Sequence, residues 1–138
     1  MRRVFADTFY WIALALPRDA YHDRAMAASR KLDGTPIVTT DEVLSEFLTF
    51  FAAMRPELRS RAVLLVESLM NSSVVTVLPQ TQESFLAGLT LYRDRPDKGY
   101  SLVDCVSMCA MKREGVVEIL TGDVHFAQEG FKAILLDS

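Results

Sequence analysis

The stretch RRVFADTFYWIALALP, Arg2 to Pro17, sets the fold. Arg3–Ala6 reads as a short apolar strand that ends at Asp7. From Thr8 the pattern turns helical and Pro17 stops it. A strand handing over to a helix is the first unit of an α/β chain. The same stretch has the basic start and apolar body of a signal peptide. Asp7 interrupts that body early and no small-x-small cleavage site follows, so it reads as strand into helix and the expected location is cytoplasmic.

Working outward, the alternation repeats. A second helix is expected over Asp19–Leu32, closed by Asp33-Gly34. TPIVTT is a brief strand. DEVLSEFLTFFAAM is a strongly apolar helix opening at Thr40 or Asp41, with Asp41 favoured as the cap, and ending before Pro56. PELRSRAVLLVESLMN is a further helix with its proline at the start. SVVTVLP is β-branched and reads as a strand. TQESFLAGLTLYRDR is a helix opened by Thr81 and Ser84, and RPDKG is a loop. GYSLVDCVSMCAMKREG is one helix, VVEILT a strand, GDVHFAQEG a loop or short helix, and FKAILLD a last strand. Strands alternating with helices predict an α/β domain with a mostly parallel sheet. At 138 residues the chain is expected to form a single domain, 1–138.

Composition narrows the function classes. Half the residues are hydrophobic and 24% are charged, as in ordinary globular proteins. No apolar run is long enough to span a bilayer. The net charge of −3 gives no basic footprint for strong nonspecific nucleic-acid binding. Cys105 and Cys109 are the only cysteines. Four residues apart on one helix, they read as buried reduced thiols, not as a disulfide or a zinc site.

The helix that carries them raises the central question. Leu102, Val103, Cys105, Val106, Met108, Cys109, Ala110 and Met111 leave it almost no polar side, so it should be buried on most of its surface. Asp104 nevertheless sits one turn in. Ser101 and Asp104 have capping-box spacing, and an acid there suits the helix dipole. Three other acids share a location with it. In open parallel sheets the binding crevice lies beyond the carboxyl ends of the strands. Asp7 and Asp123 each follow a strand directly, while Asp104 and Glu46 lie early in helices. Four carboxylates from distant segments can therefore converge. Such a cluster opposes folding unless a cation joins it, because like charges raise one another's pKa and buried unpaired carboxylates are costly. An all-oxygen donor set points to Mg²⁺ or Mn²⁺.

The segments FADTFYWIALA, TTDEVLSEFLTFF, YSLVDCVSMCAMKREG and ILTGDVHFAQEGF, in that order and spacing, resemble the signature segments of the PIN-domain family. They are most similar to its VapC-type ribonuclease toxins of bacterial toxin–antitoxin modules. The resemblance covers nearly the whole chain. It implies a three-layer α/β/α fold with a central, mostly parallel sheet, and metal-dependent endoribonuclease activity. It places the catalytic and metal-binding acids at Asp7, Glu46, Asp104 and Asp123. One or two cations, held mainly by Asp7, Asp104 and Asp123, would bind a scissile phosphate, with Glu46 holding metal through water or orienting the nucleophile. Thr8 takes the place of a small hydroxyl residue after the first acid, and Thr121 that of the threonine before the last. The implied partners are RNA and a small antitoxin protein.

Further substrate-binding candidates follow from position. Arg93, Arg95 and Lys98 precede the Asp104 helix and can steer RNA. Ser107, one turn after Asp104, can bond its carboxylate, and His125 can reach substrate. Glu42 shares a helical face with Glu46, but the resemblance favours Glu46. Tyr10 and Trp11 read as core or interface. Phe47, Phe50, Phe51 and Met54 are more apolar surface than one compact helix needs, which suggests a homodimer interface or an antitoxin seat for some of them.

Two other function classes compete. A signalling receiver domain also binds Mg²⁺ at strand ends. It needs an acidic pair at the first strand and an aspartate on the third, whereas only Asp7 is present and SVVTVLP ends without an acid. A non-catalytic PIN fold acting as an RNA-binding or scaffold module would be marked by loss of an acid, and all are present.

Overall fold

A computed structural model describes residues 1–136. The elements run β1 (Val4–Ala6), α1 (Thr8–Ala15), α2 (His22–Lys31), β2 (Ile37–Thr40), α3 (Asp41–Phe50), α4 (Pro56–Met70) and β3 (Val75–Leu78). They continue with α5 (Gln82–Asp94), α6 (Leu102–Glu114), β4 (Glu118–Leu120), α7 (Val124–Gln128), β5 (Lys132–Ala133) and a 3-10 turn, Ile134–Leu136. The strands form one sheet in the order β3-β2-β1-β4-β5, with every pairing parallel. Parallel strands need crossover connections, and helices supply them on both faces, giving the expected α/β/α layering. β1 is the central strand. Val4, Phe5 and Ala6 are all fully buried, as expected of a strand covered from both sides.

The chain builds outward from β1 through β2 to β3, then returns across the sheet to β4 on the other side of β1. The strand order therefore reverses between β1 and β4, whose register pairs Ala6 with Leu120. A crevice opens at the carboxyl ends of such a pair, because the helices that follow the two strands diverge.

Helix caps explain most boundaries. Thr40 caps α3 by accepting from the Val43 N–H at 3.1 Å. This corrects the expectation for Asp41, whose Oδ2 instead accepts from the Gln80 N–H at 3.0 Å and ties α3 to the end of β3. Thr81 and Ser84 form a reciprocal capping box at α5, and Pro56 occupies the start of α4. α2 begins later than expected, because Asp19 accepts from the Tyr21 N–H at 2.8 Å and holds a turn before the helix. The last strand is shorter than FKAILLD suggests: two residues pair with β4 and the chain then tightens into the 3-10 turn. Asp137, the final residue of that segment, lies outside the described residues.

α5 and α6 pack closely, and Gly88 is the reason. A Cβ there would lie 2.5 Å from Val106 Cγ2 and 3.2 Å from the Val106 backbone. α6 is buried along most of its length, with Cys105, Val106, Ser107, Met108, Ala110 and Met111 enclosed. The thiols are reduced, and burial pushes Cys105 up to about 11, well away from a reactive thiolate. No helix among the described residues is long and apolar enough to cross a membrane.

Candidate active site

Asp7 leaves the end of β1 as the N-cap of α1, which puts its carboxylate at the β1–β4 switch. Its Oδ1 accepts from the Tyr10 N–H at 3.4 Å, and its Oδ2 from the Thr121 hydroxyl at 3.0 Å. The residue is only 6% exposed. Burial pushes its pKa well above the ordinary carboxylate value. Asp104 and Asp123 raise it further, while the Thr121 hydroxyl and the Tyr10 N–H work in the opposite direction.

Asp123 arrives from the neighbouring strand as the N-cap of α7, its Oδ1 accepting from the His125 N–H at 2.9 Å. Thr121 joins the two strand ends. Its hydroxyl donates to Asp7 and accepts from the Asp123 N–H at 3.0 Å. Thr121 is fully buried, so it fixes the two acids and does not reach a substrate.

Asp104 sits at the third position of α6. The capping box exists: the Asp104 N–H donates to Ser101 Oγ at 3.0 Å and the Ser101 N–H to Asp104 Oδ2 at 3.1 Å. Burial raises the Asp104 pKa and Asp123 adds to the rise, whereas the Ser101 N–H and His125 oppose it. The cap leaves the carboxylate open to other groups. His125 Nδ1 lies 3.3 Å from Asp104 Oδ2 and 3.3 Å from Asp123 Oδ1.

Glu46, from α3, lines the same cleft of about 400 Å³ as Asp7, Asp104 and Asp123, together with Thr8 and Phe50. The structure thus brings all four acids to one cleft. The tightest set differs from the expected one. Ligand atoms of Asp104, Asp123 and His125 all lie within 4.8 Å of one another, so a ring nitrogen joins the oxygens and Asp7 and Glu46 stand outside that group. Glu42 turns away, its Oε2 accepting from the Ser84 hydroxyl at 3.5 Å and its Oε1 buried without a partner.

Among the described residues no lysine or arginine pairs with Asp7, Asp104 or Asp123. Converging carboxylates, one of them buried, with no lysine or arginine to pair them and one histidine ring nitrogen beside two of them, are a donor set suited to a divalent metal ion.

Of the remaining substrate-binding candidates only Thr8 lines the cleft of the four acids. Thr8 is buried and donates to the Val43 carbonyl at 3.4 Å. Ser107 does not bond Asp104; its Oγ is enclosed without a partner. Arg93 is exposed and bonds Asp94. Lys98 is exposed in the turn before α6. Arg95 is not free to steer RNA, because its fork bonds both oxygens of Glu129 at 3.0 Å. Phe47 and Phe51 are core, Met54 is half-buried against it, and Phe50 is the exposed one of the four.

Glu129 is the residue sequence reasoning missed. At 7% side-chain exposure it accepts from Arg95 and from the Tyr100 hydroxyl at 3.0 Å, with Lys112 at 3.6 Å. Arg95 holds its carboxyl below the usual range despite burial, and Tyr100 is pushed up to about 12 by burial and by Glu129. The Tyr100 ring in turn meets His125 edge-on at 5.3 Å. One signal was available: Glu129 caps the C-terminal end of α7, where the helix dipole disfavours an acid unless a cation compensates.

A doubly covered parallel sheet with acids gathered at its switch point places the chain in the class of α/β proteins that bind ligands beyond the strand ends, and a profile of the PIN domain matches residues 4–132. The chain belongs to the PIN-domain family. Within it the chain is similar to the 23S rRNA-specific endonuclease VapC20 of Mycobacterium tuberculosis. The two are 27% identical over 130 residues, spanning 93% of this chain and 95% of VapC20. The crystal structure of VapC20, described as a sarcin-ricin loop cleaving toxin, matches with a TM-score of 0.83 at 25% identity, over 93% of this chain and 95% of that one. FitAcB from Neisseria gonorrhoeae shares the fold, with a TM-score of 0.68 at 15% identity over 94% of this chain and 95% of that one.

Proposed function

We propose that this protein is a divalent-metal-dependent endoribonuclease, acting as the toxin of a type II toxin–antitoxin pair. The observation that carries the reading is the gathering of Asp7, Asp104 and Asp123 around the β1–β4 switch, with Glu46 lining the same cleft and, among the described residues, no lysine or arginine paired to the first three.

Asp104 and Asp123 would hold the ion, Mg²⁺ or Mn²⁺, with Asp7 beside them and His125 as a further donor. Bound there, the ion supplies positive charge to a scissile phosphate and acidity to water. The chain's own residues do the positioning. Thr121 and the Tyr10 N–H fix Asp7, Ser101 fixes Asp104, and the His125 N–H fixes Asp123. Each carboxylate is held before any ligand arrives, which lowers the reorganisation needed on binding. The Glu46 carboxylate makes no hydrogen bond within the protein among the described residues and is available to orient the attacking water. Arg93 and Lys98 remain the cations that steer RNA toward the cleft. The cognate partner is a small antitoxin protein. Phe50, exposed at the cleft, belongs to the surface that such a partner or a second copy of the chain covers.

The test is cleavage of purified RNA by the protein with Mg²⁺, with Mn²⁺ and with EDTA. Similarity to VapC20 makes 23S rRNA the first substrate. Cutting that needs metal and disappears in Asp7→Asn and Asp104→Asn is the expected result. An Asp104→Asn protein that cuts as well as the parent overturns the reading.

A further inference from the structure

The sheet has a second, oppositely charged end. Arg2 precedes β1, Glu118 opens β4 and Lys132 opens β5, so all three lie at the amino ends of strands whose carboxyl ends carry the acids. With Arg24 and Lys31 of α2 they surround a cleft of about 350 Å³. That volume lies within the range of small-molecule sites, about 300–1,000 Å³.

Among the described residues the positive charge around this cleft exceeds the negative. Its one carboxylate, Glu118, has both oxygens bonded by Arg2, at 2.9 and 3.0 Å. Arg24 is held by neutral groups: Nη1 donates to the Leu135 carbonyl at 3.3 Å, and the guanidinium lies 4.9 Å over the Tyr21 ring. Its position is fixed while its charge stays available. Among the described residues Arg24 and Lys31 have no carboxylate partner. Lys132 shares with Arg2 the single charge of Glu118, so positive charge is in excess around one cleft of a chain whose net charge is −3. General basicity therefore does not account for them. The other wall is apolar, formed by Ala27, Ala28, Leu32 and Ile134.

We propose that this cleft is a second ligand site, which takes the phosphate groups of a nucleotide. Arg24, Lys31 and Lys132 meet phosphate oxygens spread over more than one position, which suits a diphosphate better than a single carboxylate. The apolar wall receives the ribose or the base. A free nucleotide and a nucleotide within an RNA chain offer this same chemistry. Binding here does not depend on the nuclease reading, because the two clefts lie at opposite ends of the strands.

The test is calorimetric titration in EDTA with ADP, inorganic pyrophosphate, a short RNA oligonucleotide and an oligoglutamate peptide. It uses the full chain and its Lys31→Ala and Lys132→Ala variants. Both lysines are exposed, and thermal unfolding checks that the variants fold. Saturable binding of ADP or RNA, weakened about tenfold by either substitution, is the expected result. Binding of ADP without RNA identifies a free nucleotide as the ligand; binding of RNA without ADP identifies the chain. Asp104→Asn should leave either one unchanged. Absence of saturable binding by all the phosphate probes overturns the proposal, as does binding indifferent to both lysines. Oligoglutamate binding as tightly as ADP overturns the phosphate assignment.

Discussion

Asp7 is the residue on which stability and chemistry pull in opposite directions. Its pKa is raised in the fold, so its contribution is complete below the unfolded carboxyl value and is lost as pH rises through the folded value. Metal-free protein should therefore be less stable near neutrality than at about pH 5. Asp7→Asn removes the charge but keeps an oxygen for the Tyr10 N–H. The expected outcome is loss of cleavage together with a higher Tm in EDTA near neutral pH, by about 4 °C for each kcal/mol gained. Differential scanning calorimetry of both proteins across that pH range checks it; a lower Tm for the variant counts against the account. Glu129 behaves in the reverse sense. Its carboxyl is lowered, so its contribution is present above the unfolded value and fades as pH falls through the folded one. Glu129→Ala strands Arg95 and Tyr100, and should cost about 2–4 kcal/mol in urea unfolding. Glu129→Gln, which still accepts from Tyr100, should cost less. Glu46 was set apart from Glu42 by the family resemblance alone, whereas the placement of Asp7, Asp104 and Asp123 near one crevice was legible from strand ends and a helix start. Glu129 was not, because its partners lie on a loop and a helix that only tertiary packing brings to it. The same packing diverted Arg95 from the RNA-steering role its position suggested.

At the scale of elements, the contact between α5 and α6 sets where Asp104 stands. Gly88→Ala gains about 1 kcal/mol of helix propensity. The added methyl meets Val106, a branched side chain with little freedom to move, so overpacking of about 1–3 kcal/mol should win. The helices then separate and Asp104 moves with α6. Net destabilisation and a fall in kcat are expected, and Gly88→Ala with Val106→Ala should recover much of both. A double-mutant cycle in stability and cleavage rate measures the coupling; strict additivity would place the constraint elsewhere. Element type was readable nearly throughout, because β-branched runs and capping residues mark the boundaries locally. The start of α2 was misplaced because Asp19 has two local roles, a helix cap or a turn, and the sequence does not rank them. β5 was overextended because an apolar segment reads alike as strand or as 3-10 turn.

Over the whole molecule, the strand order is what a single sequence withholds. Nothing local states that β4 returns to lie beside β1, yet that return creates the crevice and gives Asp7 and Asp123 a common location. A cation bound at this switch point should stabilise the fold as a whole. Mn²⁺ at about a hundred times its Kd adds about 2.7 kcal/mol, seen as a rise in Tm that EDTA reverses. Asp104→Asn should lose most of that rise, and an undiminished rise would place the ion elsewhere. Two of the acids in the proposed site have a second duty, since Asp7 and Asp123 also cap α1 and α7. Asparagine caps a helix about as well as aspartate, and the codons of the two differ by a single base. One point mutation can therefore silence this protein without unfolding it. A cell lineage under pressure to escape the activity has an easy route to a folded, inert copy, one that still occupies every partner recognising the intact surface.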